Sequence, residues 1–243
     1  MPSRAEPSSG RVVKASKASV PSAERRPRSL TIAVVGDSLA DGMWAGLYRT
    51  VQRDKRYKIY RGAKNSVGFT GSDLTDMIDR AFAKGPVHAL VMMIGANDRR
   101  SFFIGSRSHA LLGTPKWVEL YRGRIERFMD HAARRKVPLV WILLPVMRED
   151  DANVDARRVN DIVTSAAHSR PLVLLLPTWE LTADAKGRYT AHFKDRDGKM
   201  QLMRMSDGVH FTAPAYELIA DRVLARLREA SPHFRTLAEG AAH

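Results

Sequence analysis

Three short stretches carry residue types that together could attack a carbonyl. They are Gly36-Asp37-Ser38, Gly95-Ala96-Asn97-Asp98 and Asp207-Gly208-Val209-His210. A serine hydroxyl becomes an effective nucleophile when a neighbouring base takes its proton. Imidazole suits that task at neutral pH, and a carboxylate beside it fixes its tautomer and stabilises the imidazolium. Asp207 and His210, three apart on a turn, can face one point. The Asn97 side-chain amide adds a donor for a developing oxyanion. Taken alone, Gly-Asp-Ser before a helix is ordinary capping chemistry. The three stretches in one chain argue for a nucleophile constellation.

That chemistry requires the three stretches to meet. Residues 30–35 form an apolar, largely β-branched run, as expected of a strand buried on both faces of a parallel sheet. Ser38 follows where helical periodicity begins, with Leu39, Met43, Gly46, Leu47 and Thr50 on one side. Its hydroxyl then lies at the carboxyl edge of a sheet, and its N–H at a helix N-terminus that favours negative charge. Residues 89–94 are a second buried run ending at Gly95. Further strands are expected at 57–60, 137–144 and 172–176, and helices at 72–83, 115–135, 153–168 and 214–229. This alternation implies an α/β fold with three αβα layers, flavodoxin-like, around a parallel sheet of about five strands. A strand order 2-1-3-4-5 would bring Ser38 and Asn97 to one crevice at the topological switch point.

With these motifs in place, the chain resembles the SGNH (GDSL-type) esterases and lipases. Gly36-Asp37-Ser38-Leu39, Gly95-x-Asn97-Asp98 and Asp207-x-x-His210 match that family's signature blocks in order and spacing, over about residues 30–229. Lys64-Asn65-Ser66-Val67-Gly68 and residues 141–148 and 207–212 are similar to a bacterial cell-envelope subgroup. The resemblance implies Ser38 as nucleophile, His210 as base and Asp207 as its orienting partner. It implies an oxyanion hole from the N–H groups of Ser38 and Gly68 and the Asn97 side chain, with Gly71 as the alternative glycine. Asp37, Gly71, Phe102 and Arg148 are candidate substrate contacts. Phe102 could equally pack beneath its loop, and Arg148 could pair with residues 149–151. Asp98 is expected to brace the loop. No metal or organic cofactor is needed, since hydroxyl and imidazole suffice. The implied substrate is a small ester or an acylated envelope glycan. An O-acyltransferase, or a glycan- or polyanion-binding domain without catalysis, are the alternatives.

Composition sets further bounds. The 243 residues are 44% hydrophobic, enough for one core. Cysteine is absent, which leaves no disulfide and no thiolate metal site. The histidines outside His210 have no metal-ligand spacing. Residues 194–199 resemble a calcium loop only loosely and read better as a hairpin turn at Asp197-Gly198. No run of about 20 apolar residues is present to span a membrane. The net charge is +14, of which residues 1–28, with seven Lys/Arg and two Glu, supply +5. That segment reads as a disordered Ser/Pro/Ala-rich linker of the kind that follows a signal or anchor, ahead of a domain over 29–232 and a tail over 233–243. A polyanionic envelope surface is a possible partner for it, and the location implied is periplasmic or envelope-associated. Nucleic acid is an unfavoured partner, because no aromatic residues interleave the basic clusters.

Overall fold

The computed structural model describes residues 29–104, 107–195 and 197–239. The expectation for residues 1–28 lies outside them. Five strands form one parallel sheet: β1 (Leu30–Gly36), β2 (Tyr57–Arg61), β3 (Ala89–Met93), β6 (Leu139–Ile142) and β7 (Val173–Leu176), in the order β2-β1-β3-β6-β7. The central strands β1, β3 and β6 are buried almost throughout, which explains their continuous apolar runs. Their register aligns Gly36 with Met93, and Met93 with Ile142, so the chain leaves all three at one edge.

Helices cover both faces. On one side α1 (Ser38–Val51) packs against α6 (Ala213–Ala230), and α6 against α7 (Pro232–Glu239). On the other, α3 (Pro115–Ala133) packs on α4 (Asp150–Ala167), and Asp79 of α2 (Asp76–Ala83) pairs with His131 of α3 and with Arg135 just beyond its end. The α1–α6 crossing is close because Gly46 faces it: a Cβ there would come within 2.8 Å of the Tyr216 backbone. Buried residues Trp117, Tyr121, Ile125, Phe128 and Met129 give α3 its inward stripe. Phe69, Phe128 and Trp141 join in edge-to-face and stacked pairs beneath the loop that follows β2.

Four details depart from the sequence reading. Helix α2 begins at Asp76 rather than at 72, because Asp73 accepts hydrogen bonds from the Thr75 N–H and hydroxyl, and Leu74 takes φ +60°. Residues 99–114, read as a loop, contain an antiparallel hairpin, β4 (Phe102–Ile104) with β5 (Arg107–Ala110). The polar stretch before the last motif holds a short helix α5 (Trp179–Thr182) that the sequence reading lacked, while the hairpin turn read at Asp197-Gly198 is present between β8 (His192–Lys194) and β9 (Met200–Leu202). The expected tail is partly helix α7, fixed by Phe234, which is fully buried against Tyr57. Among the described residues no helix is long and apolar enough to cross a membrane.

Candidate active site

Ser38 is the first residue of α1, directly beyond β1. Asp37 caps the helix: its Oδ1 accepts the Leu39 N–H at 2.9 Å. The Ser38 N–H lies in the first turn, where no intrahelical carbonyl reaches it, so it stays free to point outward. The turn ahead of α6 brings up Asp207 and His210. His210 Nε2 lies 2.8 Å from Ser38 Oγ, and His210 Nδ1 lies 2.6 Å from Asp207 Oδ2. The second oxygen of Asp207 accepts the N–H groups of Val209 at 2.8 Å and His210 at 2.9 Å.

The charges fix the tautomer. Partial burial alone would raise the Asp207 carboxyl. The Val209 N–H, the His210 ring and the His210 N–H outweigh it and bring the carboxyl down to about 2. Asp207 is therefore an acceptor at any working pH. His210 Nδ1 then carries the proton, and Nε2 presents its lone pair to the Ser38 hydroxyl.

The glycine-rich loop after β2 is held by Asp98. Its carboxylate accepts the Phe69 N–H at 3.1 Å, the Thr70 N–H and hydroxyl at 2.8 Å each, and the Tyr121 hydroxyl at 2.8 Å. Asp98 is almost fully buried, and burial raises its pKa. A Cβ on Gly68 would lie 2.2 Å from Asp98 Oδ1, so this contact requires glycine. The Gly68 N–H donates to nothing among the described residues, whereas the Gly71 N–H donates to the Gly68 carbonyl at 3.0 Å. Of the two candidate glycines, Gly68 is the one with a donor to offer.

Asn97 lies just past β3 in a short 3-10 turn. Its Nδ2 donates to Asp37 Oδ2 at 3.2 Å and to the Val67 carbonyl at 3.1 Å. Both amide hydrogens are thus engaged in the free protein. Asp37 sits at the bottom of the site, fully buried, and burial pushes its carboxyl up to about 7 against the N–H groups of Leu39 and Gly95.

The remaining candidates lie elsewhere. Phe102 is buried against Trp117 with the Arg124 guanidinium 4.9 Å from its ring centre, because alternation along β4 turns it inward and leaves Phe103 59% exposed. Both line a cavity of ≈ 990 Å³ against α3 that no triad residue borders. Arg148 makes no ion pair with residues 149–151. It donates to the carbonyls of Ser206 at 2.7 Å and Met205 at 3.4 Å, on the turn leading to Asp207. Sequence reasoning missed Arg124, which donates to the Phe69 carbonyl, and Arg204, which is 1% exposed and grips the carbonyls of Gly208 and Val209. The only signal for Arg204 is its place between two methionines, Met203 and Met205.

Comparison with known proteins agrees with this fold. Residues 31–226 match the model of a family described as "Protein of unknown function (DUF459)". No curated protein sequence matches. Among solved structures, the chain is similar to a lipolytic protein of the G-D-S-L family from Veillonella parvula: 15% identity, TM-score 0.56, covering 81% of this chain and 97% of that one. It is similar to a GDSL-like lipase from Bacteroides thetaiotaomicron at 13% identity and TM-score 0.57, covering 83% and 89%. It is also similar to an acetyl xylan esterase at 14% identity and TM-score 0.55, covering 80% and 98%. The fold is that of the GDSL/SGNH hydrolases.

Proposed function

The chain belongs to the DUF459 family, and from that membership and its SGNH fold we propose that it is a serine esterase removing O-acetyl or other acyl groups. The observation that carries the reading is the unbroken chain Asp207–His210–Ser38, with links of 2.6 and 2.8 Å. Ser38 Oγ attacks the ester carbonyl as its proton passes to His210 Nε2. The imidazolium is stabilised by Asp207 and returns the proton to the leaving alcohol. Water repeats the sequence on the acyl-enzyme.

The oxyanion is bound first by the N–H groups of Ser38 and Gly68. Asn97 is the third donor and must exchange its hydrogen bond to Val67 or Asp37 to serve. One such donor contributes about 10²–10³ in kcat, and Asn97 falls at the lower end because it starts with both hydrogens engaged.

An acylated polysaccharide or peptidoglycan of the cell envelope is the substrate we favour, and the envelope or periplasm the location. The likeness of residues 64–68, 141–148 and 207–212 to an envelope subgroup supports this, as does the acetyl xylan esterase among the fold's relatives. The openness of the site supports a bulky substrate: the side chains of His210 and Asp207 are 37% and 47% exposed. The same openness favours hydrolysis over transfer to another hydroxyl, because a transferase must keep water from its acyl-enzyme.

The test is hydrolysis of p-nitrophenyl acetate, butyrate and octanoate, and of O-acetylated wall material, by the wild type and Ser38→Ala. Turnover by the wild type and a loss of 10³-fold or more in Ser38→Ala is the expected result. Binding of wall glycan with no acyl release by either protein would replace the esterase with a glycan-binding domain.

A further inference from the structure

We propose that Arg204 is a positioning residue of the general base, holding the Asp207–His210 turn from behind through its peptide carbonyls. The proposal rests on the serine-esterase reading of the site. Arg204 is 1% exposed, and no carboxylate pairs with it among the described residues. Three of its hydrogen bonds run to carbonyls, Val146 at 2.7 Å, Gly208 at 2.8 Å and Val209 at 3.0 Å, and a fourth to the Met147 sulfur at 3.9 Å. Its guanidinium carbon lies 5.3 Å from the ring centre of Tyr189 and 4.7 Å from that of Phe211. Its Nε has no hydrogen-bond partner among the described residues. A buried cation without a counter-ion is costly, and a methionine would fill the same space without that cost.

The turn shows what the cation does there. The peptide unit joining Gly208 to Val209 gives its C=O to Arg204 and its N–H to Asp207 Oδ1. The next unit, joining Val209 to His210, does the same at both ends. Two peptide dipoles thus lie aligned between a guanidinium and a carboxylate. Each carbonyl bond to the cation strengthens the N–H bond at the other end. Arg204 is the counter-ion of Asp207, connected through backbone rather than by contact. Arg148 secures the preceding residues of the turn at Ser206 and Met205, and its guanidinium carbon lies 5.6 Å from the same Tyr189 ring. Asp207 is therefore fixed at one oxygen by a polarised turn, and its other oxygen is aimed at His210 Nδ1.

The experiment compares the full chain with Arg204→Met and Arg204→Lys. Two readouts are taken: the low-field proton resonance of His210 Nδ1–H, and kcat and KM on p-nitrophenyl acetate. Removing the orienting carboxylate of a triad costs about 10⁴ in kcat. Loosening its turn should cost about 10², with KM within about twofold of wild type. The Nδ1–H resonance should shift or broaden in Arg204→Met, and Arg204→Lys, which restores the charge and some of the carbonyl contacts, should recover at least about tenfold of the lost kcat. A folded Arg204→Met with wild-type resonance and wild-type kcat overturns the proposal. If Arg204→Met does not fold, Arg204→Gln, which also removes the charge, takes its place: a wild-type resonance and kcat in it overturn the proposal, and a shifted resonance with lowered kcat upholds it. If the wild type hydrolyses nothing, the esterase reading fails, and the resonance alone still tests the role of Arg204.

Discussion

Two carboxylates flank the reacting pair, Asp37 before Ser38 and Asp207 before His210, and their surroundings push them in opposite directions. Burial takes Asp37 up to about 7, and hydrogen bonds bring Asp207 down to about 2. Asp207 is the permanently ionised partner, while Asp37 titrates near neutrality. The fold prefers Asp37 protonated, so its contribution to stability is full below about pH 4 and is lost as pH rises towards 7. In Asp37→Asn this loss disappears. Relative to wild type, the variant should gain up to ~4 kcal/mol between pH 4 and pH 7.5, at 1.36 kcal/mol per pH unit. Urea denaturation at both pH values measures the difference, and any cost of replacing an oxygen by an amide group cancels between them. At this scale the sequence is legible where chemistry and element boundaries coincide. Ser38, Asn97, Asp207 and His210 stand at strand or helix ends, where spacing alone marks them. It is not legible where one side chain has two plausible partners. Gly68 and Gly71 separate only once the Gly71 N–H is seen to close a turn on Gly68. Arg148 is distinguished from a substrate contact only by the carbonyls of Met205 and Ser206.

Between elements, the Gly68 loop depends on α3. Tyr121 lies on the buried stripe of that helix, and its hydroxyl reaches Asp98, which in turn holds Phe69 and Thr70 beside Gly68. Arg124, one turn further, donates to the Phe69 carbonyl. Tyr121→Phe removes one hydrogen bond to a buried carboxylate and leaves the ring stacked on Trp117. It should cost ~1.5–3 kcal/mol in chemical denaturation and lower kcat with little change in KM, because the loop loses support without losing a donor. Periodicity makes Tyr121 legible as a core residue, but the partner of its hydroxyl is outside what periodicity can say. The hairpin β4–β5 is illegible for another reason, and of β8–β9 only the turn at Asp197-Gly198 is legible. Their strands are three or four residues long, too short for alternation to build a signal.

In the molecule as a whole, the layers follow from the βα alternation, the strand order is the one the sequence reading supposed, and the boundary at the carboxyl end does not follow. Helix α7 offers only Phe234 and Leu237 as sizeable apolar residues, so nothing in its sequence marks it as core. Yet Phe234 is fully buried, and the Leu237 carbonyl accepts from Arg56 just ahead of β2. The helix thus packs at the start of β2, the strand at one end of the sheet. Phe234→Ala should cost ~3–5 kcal/mol, read as a drop in thermal midpoint with Ser38–His210 chemistry intact below it.

The close crossing of α1 on α6 bears on when the site is assembled during synthesis. Ser38 and His210 are 172 residues apart in the chain, and Gly46 against Tyr216 is the contact that brings their helices together. A growing chain emerges with Ser38, Gly68 and Asn97 long before Asp207 and His210. Such a chain can shape most of its sheet while the site is still incomplete. The last helix pairing both completes the core and brings His210 up to Ser38, so the site is assembled only with the finished fold.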